Sequence, residues 1–501
     1  MISFVNSLYG GVFLHETNNP EYIAILWEEN MGQYTNGGRV RNFNPLICKR
    51  AAAVVNRREY IAALVVAGCF YQPALMADDL GTQVKLSPIA VGSIMANSTL
   101  KATPQTHRGH TAKPKPSSVD SVRDAFAKGK FSLDVRYRFH VLDDAAVENT
   151  GVASTVRLRA GYRTAEYKGV SGYLEFDYTG IVGASKYHTP NDPRPGYPTI
   201  TDPEITDLQQ GYIDIKSFDN SELRIGRMQP ILDDKRYLGP GNWRQNARNL
   251  DGVRFINKSL KDVTLKYYYH WNFNRQLGDS IPAGDWDTNA HMLFAEYTGI
   301  EGVTLSSFGY LLKIKDDPKK SSKTFGVRMH GKSKVGEKTK LLYDVHYARQ
   351  SDYSNNPIDF SGDIFWASAG VEAGPFVAKL GYERLEGDGK TAVQFTTGGR
   401  HAFQGLADRF SSIPVNGLQD AYAQLTYKMP DIGFMKKPAI HVQYHDFKAQ
   451  NTNDDYGTEW DVRYTFNTKA KLKFRLLYAG FNSQGFKADL RHFIVQINTK
   501  F

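Results

Sequence analysis

Apolar and polar residues alternate along most of the chain from residue 131 onwards. In the first run the apolar positions are Phe131, Leu133, Val135, Tyr137, Phe139 and Val141. The intervening positions are polar, namely Ser132, Asp134, Arg136, Arg138 and His140. Because successive side chains of a strand face opposite sides, this period of two predicts a strand with one apolar face and one charged face.

The same alternation recurs up to the end of the chain. Its clearest repeats are residues 156–163, 174–179, 263–270, 325–330, 341–347, 440–445, 461–466 and 471–478. Many runs reach about 10 residues, whereas strands of soluble sandwiches average about five or six. Charged faces are costly in a dry core but are solvated in a water-filled lumen. Since every backbone group must be paired in hydrocarbon, such strands must close into a barrel.

The pattern therefore predicts an all-β fold, a single-domain transmembrane antiparallel β-barrel of about 18 strands over residues 129–501. The last run places Phe493, Val495, Ile497, Thr499 and Phe501 on the outer face. An amphipathic strand that ends on an aromatic residue resembles the carboxy-terminal signal of bacterial outer-membrane barrels. We expect the protein in the bacterial outer membrane, with membrane lipid and the barrel-assembly machinery as partners.

The segment ahead of the barrel divides into three parts. Residues 1–54 show no clear period, and we interpret them as a non-native or mis-assigned extension, with a genuine regulatory extension as the alternative. Residues 55–77 combine Arg57-Arg58, an apolar core and a cleavage pattern ending at Ala77, which predicts a signal peptide. A lipoprotein box ending at Cys69 is the competing interpretation. Residues 78–128 are rich in Pro, Lys and Thr and predict a flexible periplasmic leader.

Composition narrows the functional classes. The formal net charge is +10, but the basic residues alternate along strands instead of forming a stripe or tail, so nucleic acid is not an expected partner. The two cysteines, Cys48 and Cys69, both precede the predicted mature start, and we expect no disulfide and no metal site after it. Neither HExxH, GxSxG nor a dinucleotide fingerprint occurs, so we do not expect an enzyme or a cofactor.

Two charged zones interrupt the alternation. The first, residues 226–252, reads GRMQPILDDKRYLGPGNWRQNARNLDG, and the second spans residues 387–420. Long charged loops in a barrel are usually functional. We predict that both loops fold inward and narrow the pore, and solvated extracellular loops are the alternative.

These zones resemble the alginate export (AlgE-like) outer-membrane proteins. In the first zone the resemblance rests on Gly226-Arg227, Leu232-Asp233, Arg236, Gly239, Trp243-Arg244-Gln245-Asn246 and Asp251-Gly252. In the second it rests on His401-Ala402-Phe403-Gln404-Gly405, Ala407-Asp408 and Gly417-Leu418-Gln419-Asp420. Leu406 departs from the tryptophan of the family at that place. The resemblance covers roughly residues 130–501 and implies an 18-stranded barrel with an arginine-rich constriction that favours polyanions.

By motif match, the resemblance implies pore-lining or loop-anchoring roles for Arg227, Arg236, Arg244 and Arg400. With arginines of the predicted inner face added, the candidate pore-lining set is Arg136, Arg138, Arg157, Arg159, Arg227, Arg236, Arg244, Arg254, Arg400 and Arg463. Lumenal arginine attracts anions and grips carboxylates through paired hydrogen bonds. The same face also carries acids, so for any one arginine a structural ion pair is at least as expected as a solute contact; these acids are Glu175, Asp177, Asp344 and Asp461.

We therefore expect an outer-membrane channel that passes anionic solutes, with export of an anionic (uronate) polysaccharide as its most specific form. A porin for the uptake of other small organic solutes is the alternative, and so is a plugged structural or adhesion barrel. The sequence leaves the direction of transport open.

Overall fold

The computed structural model describes residues 118–501 and the backbone of four strands between residues 2 and 56. The chain divides into two compact units, residues 1–104 and 105–501. Strands β1 (Ile2–Ser7), β2 (Gly10–Glu16), β3 (Tyr22–Glu29) and β4 (Cys48–Asn56) form an antiparallel sheet in chain order. The sequence showed no period of two here because runs such as YIAILWEE in β3 are continuously apolar at first.

Most of the predicted signal peptide and leader lies outside the described residues. This applies to residues 57–117, and with them to the predicted cleavage site and to Cys69. The structure does describe the last residues of the predicted leader, 118–128, and they include a short helix. Helix α1 spans Val122–Ala127, and its N-cap Ser121 accepts a hydrogen bond from the backbone N–H of Asp124 at 3.0 Å.

Residues 130–500 form a closed antiparallel barrel of 18 strands, which confirms the predicted fold class. The strands are β5 (Lys130–Asp144), β6 (Gly151–Arg163), β7 (Val170–Lys186), β8 (Ile205–Ile215), β9 (Ser221–Met228), β10 (Asn249–Asn257), β11 (Val263–Asn274), β12 (Asp285–Ile300), β13 (Val303–Ile314), β14 (Ser322–Lys334), β15 (Thr339–Asp352), β16 (Ser361–Ala373), β17 (Phe376–Leu385), β18 (Leu418–Lys428), β19 (Lys436–Lys448), β20 (Asp455–Asn467), β21 (Lys473–Ser483) and β22 (Leu490–Lys500). Each strand pairs with its neighbours in the chain. The last strand, β22, pairs with β5 and closes the barrel.

Around the barrel wall, the apolar face of the strands points outward and the charged face points inward, as predicted. Outward side chains such as Phe131 and Leu380 are 67% and 68% exposed, whereas inward Arg138 and Asp177 are each 1% exposed. An apolar outer surface on a closed barrel is what a bilayer-spanning barrel requires. Phe501 follows β22 and exchanges two backbone hydrogen bonds with Leu133, so the chain end is part of the closure seam.

No helix in the described part of the chain is both long and apolar enough to cross a bilayer. Among residues 118–501, two short 3-10 helices, Pro318–Lys320 and Arg400–Ala402, lie in connections between strands.

One stretch of β14 has the spacing of a phosphate-binding loop. Residues 326–333 read GVRMHGKS, which matches the glycine and lysine positions of that motif. The whole stretch is extended and paired on both sides, with β13 and β15. Its backbone N–H groups are therefore part of the sheet and cannot cradle a phosphate.

The two ends of the barrel differ. The end at which β5 begins and β22 ends has short turns, such as residues 164–169, 301–302 and 374–375. The opposite end carries the longer connections, among them residues 229–248 (loop A) and residues 386–417 (loop B). These two loops coincide with the charged zones of the sequence, and their contacts with inner-wall side chains place both inside the barrel.

Candidate constriction and lumenal cavity

Loop A is held to one wall of the barrel by arginines of β5. Arg136 donates hydrogen bonds to the backbone carbonyls of Asn242 and Arg244, both at 3.0 Å. Arg138 donates to the carbonyl of Trp243. A loop that leaves the wall of a barrel loses its ladder partners, and these guanidinium groups satisfy its buried carbonyls instead.

Two arginines of β6 extend this anchor. Arg157 and Arg159 each donate to the carbonyl of Gln245 at 3.4 Å. Both also pair with carboxylates of the wall, Arg157 with Asp134 and Arg159 with Asp177, the latter at 2.8 Å. Their charges are thus neutralised by wall acids while their remaining N–H groups fix the loop.

Loop A then crosses the lumen to the far wall. Arg236 makes a two-point ion pair with Glu383 of β17, at 2.6 and 2.9 Å, and both side chains are almost fully buried. Its guanidinium lies 4.0 Å from the ring centre of Trp366 and 3.8 Å from that of Phe403. Burial alone would lower the pKa of Arg236, but Glu383 outweighs this and raises it. The loop is therefore clamped at both ends of its span.

Loop A and loop B meet in an aromatic and ionic junction. The rings of Trp243 and His401 are stacked, with centroids 3.4 Å apart and planes 8° apart, and Arg138 lies over the Trp243 ring at 4.6 Å. Asp408 accepts a hydrogen bond from His401 at 2.8 Å and pairs with Arg244 at 3.3 Å. We name Trp243, Arg244, His401 and Asp408 the junction.

Backbone bonds reinforce the contact between the two loops. The N–H of Gly239 donates to the carbonyl of Thr397 at 3.1 Å, and the N–H of Gly399 donates to that of Lys235 at 2.8 Å. Arg248 donates to the carbonyl of Gly398. These bonds do not involve the junction side chains, so they join the two loops independently of the junction.

Loop B is fixed to the wall by buried carboxylates of β20. Glu459 accepts the backbone N–H of Ala407 at 2.7 Å, and Asp461 accepts that of Leu406 at 3.1 Å. Leu406, where the family resemblance expects tryptophan, is itself buried. Gly405 has φ +81°, and a Cβ there would lie 2.3 Å from Glu459, so this approach requires glycine.

A cavity of about 840 Å3 lies between the two loops and the turn end of the barrel. Its basic lining residues, within the described chain, are Arg136, Lys235, Arg244, Arg248, Arg400, Lys437, Arg463, Lys473, Arg475 and Lys500. Its acidic lining residues there are Asp134, Asp234 and Asp408. Burial, and after it the nearby charges of Arg400 and Arg275, lower the pKa of Arg248 to about 9.

The wall of the cavity carries cations without counter-ions. Within residues 118–501, no carboxylate lies at ion-pair distance from the side chains of Arg463, Lys473, Arg475 or Lys500. All four belong to β20, β21 and β22 and lie near the turn end. A solute anion entering from that end meets unneutralised positive charge.

The structure separates the predicted arginines into two groups. Those that line the cavity are Arg136, Arg244, Arg400 and Arg463. Those that lie away from it, each paired with a wall or loop acid, are Arg138, Arg157, Arg159, Arg227, Arg236 and Arg254. For these six, a pore-lining role stays a prediction. Arg138, Arg157, Arg159 and Arg236 bond loop A or clamp it to the wall, whereas Arg227 and Arg254 pair with acids of neighbouring strands.

Other lining residues were missing from the predicted set. The period of two already placed Lys473 and Arg475 on the inner face, so their signal was present in the sequence. Lys437 carried no such signal, because the pairing of β19 with β20 shifts register between Lys436 and Ala439. The stacking of Trp243 on His401 depends on two loops that are far apart in the chain.

No protein-family model and no curated protein matches this chain. Solved structures do match. Pseudomonas aeruginosa OpdK, determined with vanillate, aligns with a TM-score of 0.60 at 14% identity and covers 75% of this chain and 99% of its own. P. aeruginosa OccK9 (OpdG) gives 0.61 at 14% identity, with 75% and 99% covered. Acinetobacter baumannii OccAB4 gives 0.61 at 11%, with 74% and 98% covered.

At these identities the likeness concerns the fold alone. The barrel of this chain is similar to those of OpdK, OccK9 and OccAB4 over nearly the whole of each of their chains. The finer resemblance to the alginate exporters, which rests on the two loop motifs, stays a prediction.

Proposed function

We propose that this protein is a passive outer-membrane channel for small anionic organic solutes, above all carboxylates. The observation that carries the proposal is the charge of the cavity, where ten basic residues face three acidic ones among those described. Arginine and lysine in a narrow aqueous lumen attract anions, and arginine holds carboxylates through paired hydrogen bonds. The apolar outer surface of the barrel supports embedding in a bilayer.

The size of the cavity favours small solutes over a polymer. Sites for small molecules occupy about 300–1,000 Å3, and a cavity of about 840 Å3 lies in that range. Loops A and B are bonded to each other, loop A is also bonded to β5, β6 and β17, and loop B is bonded to β20. The structural likeness to OpdK, solved with vanillate, which is itself a carboxylate, supports the same solute class.

A uronate polysaccharide remains the second candidate cargo, on the strength of the loop motifs. Short turns face the periplasm in bacterial barrels and long loops face the outside, so the cationic cavity would open towards the periplasm. An anionic polymer leaving the cell would then meet the unpaired cations first. This geometry is compatible with export, but the interlocked loops do not favour it.

Solute flux into proteoliposomes tests the proposal. Purified protein is reconstituted, and uptake of benzoate, galacturonate, glucose and a uronate oligomer is compared. We expect benzoate and galacturonate to enter faster than glucose, and the oligomer to be excluded. Equal rates for charged and neutral solutes would refute anion selection, and fastest transport of the oligomer would favour the polysaccharide function. A barrel with no flux at all would be a plugged structural barrel.

A further inference from the structure

The ion pair between Arg244 and Asp408 is made through one contact and lines the cavity, unlike two two-point ion pairs of the same lumen. Arg227 pairs with Asp251 through two hydrogen bonds of 2.8 and 2.9 Å, and Arg236 pairs with Glu383 through two of similar length. Arg244 makes a single contact with Asp408, at 3.3 Å. Two-point pairs are the stronger and more specific form of this interaction, so the pair of Arg244 and Asp408 is weaker than these two pairs.

Arg244 and Asp408 both line the cavity. Within residues 118–501 the side chain of Arg244 has Asp408 as its partner, and both side chains are 15% exposed where they line the cavity. The buried pair of Arg236 and Glu383 has only 4% and 3% exposure. A solute carboxylate in the cavity therefore reaches Arg244 without moving a strand or a loop backbone.

We propose that Asp408 is an internal counter-ion, and that a solute carboxylate crosses the constriction by displacing Asp408 from Arg244. The inference rests on the proposed function and names the residue that sets the strength of anion binding at the junction. The exchange replaces one carboxylate on Arg244 by another, so the guanidinium keeps a partner throughout.

Asp408 has a second partner, His401, which lowers the free-energy cost of the exchange. Its other carboxylate oxygen accepts from His401 at 2.8 Å, so Asp408 is not left unpaired when Arg244 turns to a solute. Burial opposes ionisation of Asp408, but His401 and Arg244 outweigh it and hold its pKa well below the usual range. The carboxylate is therefore an anion at neutral pH and competes with the solute as one.

A competing internal carboxylate serves transport because conduction needs binding that is weak enough to release the solute. The cavity holds many cations, and without a competitor a carboxylate would stay on Arg244 longer. Asp408 occupies the same donor when the solute leaves. Removing the charge of Asp408 should thus make the solute carboxylate bind more tightly and stay bound for longer.

Single-channel recordings with benzoate as the probe test this inference. The measured quantities are the dissociation constant and residence time of benzoate, read from interruptions of the chloride current. We expect Asp408→Asn to bind benzoate about two- to fivefold more tightly, the effect of losing one partly exposed ion pair. Most of the change should appear as a longer residence time. Asn is suited to this position because Asp408 has φ +61°, which asparagine tolerates well.

Asp144→Asn is the matched control. Asp144 also tethers loop B, through Arg409 at 2.8 and 3.1 Å, but neither residue lines the cavity. The control makes the same change in charge and loosens the same loop, and benzoate binding should stay as in the wild type. The double variant Arg244→Gln, Asp408→Asn should bind benzoate no more tightly than Arg244→Gln alone.

The outcomes separate the two proposals. If the wild type neither prefers anions nor interacts with benzoate, the proposed function fails. If the wild type interacts but Asp408→Asn matches Asp144→Asn, or if tightening persists without Arg244, the counter-ion inference is overturned. Should Asp408→Asn fail to fold, Asp408→Ser provides the same comparison.

Discussion

The buried pair of Arg236 and Glu383 should control how firmly loop A is docked. Glu383→Gln leaves Arg236 with its aromatic neighbours but without a carboxylate, and only 4% of the Arg236 side chain is exposed. Removing one partner of a buried ion pair costs about 3–5 kcal/mol, because the other charge stays buried and unpaired. At about 1.4 kcal/mol per tenfold, this shifts the docked-to-undocked ratio of loop A by on the order of 10²–10³-fold.

Hydrogen exchange followed by mass spectrometry measures that shift. The strand ladder does not depend on loop A, so exchange should accelerate by about 10²-fold or more in peptides from residues 229–248 and stay unchanged in the strands. Glu372→Gln is the control, since Glu372 pairs with Lys428 on the surface at 3.0 Å and such pairs contribute about 0–1 kcal/mol.

A double replacement tests the cause of the shift. Arg236→Met with Glu383→Leu removes both charges and keeps apolar bulk in the site. Replacing a buried ion pair with apolar residues is often neutral, so protection of loop A should return. If the hydrogen-exchange rate of loop A rises by less than about threefold in Glu383→Gln, the reasoning that this pair clamps the loop is refuted.

Three further predictions concern the junction and loop B. Gly405→Ala should undock loop B and raise open-channel noise, because its Cβ would lie 2.3 Å from Glu459; Gly374→Ala has φ +55° but meets nothing within 4 Å and should leave the noise unchanged. Trp243→Ala should speed tryptic cleavage of loop A about two- to twelvefold, since the lost stacking contributes about 0.5–1.5 kcal/mol, whereas Trp271→Ala, at a side chain that is 43% exposed, should not. The tighter benzoate binding of Asp408→Asn should persist between pH 7 and pH 5. The pKa of Asp408 lies below the ordinary value of an aspartate, so its carboxylate stays charged in the wild type over this range and loses its charge only as the pH falls through the lowered pKa. Loss of the tighter binding by pH 5 would contradict this.

The fold was predictable because its signal is local. Most strands of the barrel show a period of two in the sequence, and the two breaks in that period correspond to loops A and B. Helix α1 was not foreseen, since its stabilising N-cap at Ser121 lies in a stretch whose composition is typical of a flexible leader. Its six residues are too few to produce a helical period.

The site was predictable only in part. The alternation along a strand shows which side chains point into the barrel, but not whether they meet water or a loop there. Arg136 and Arg138 are two residues apart on β5 and face the same way. Arg136 lines the cavity, whereas Arg138 is 1% exposed beneath Trp243 and paired with Asp202. The difference arises from the path of loop A, which is set by contacts with distant strands such as that of Arg236 with β17.

The reversal potential under a gradient of potassium chloride tests the central claim most directly. Planar-bilayer recordings of the wild-type channel should give a potential of the sign for chloride preference. Arg463→Gln and Arg475→Gln should each reduce it, while Arg349→Gln, an outward arginine whose side chain is 61% exposed, should not. A cation-preferring potential, or a protein that inserts without conducting, would contradict an anion-selective lumen.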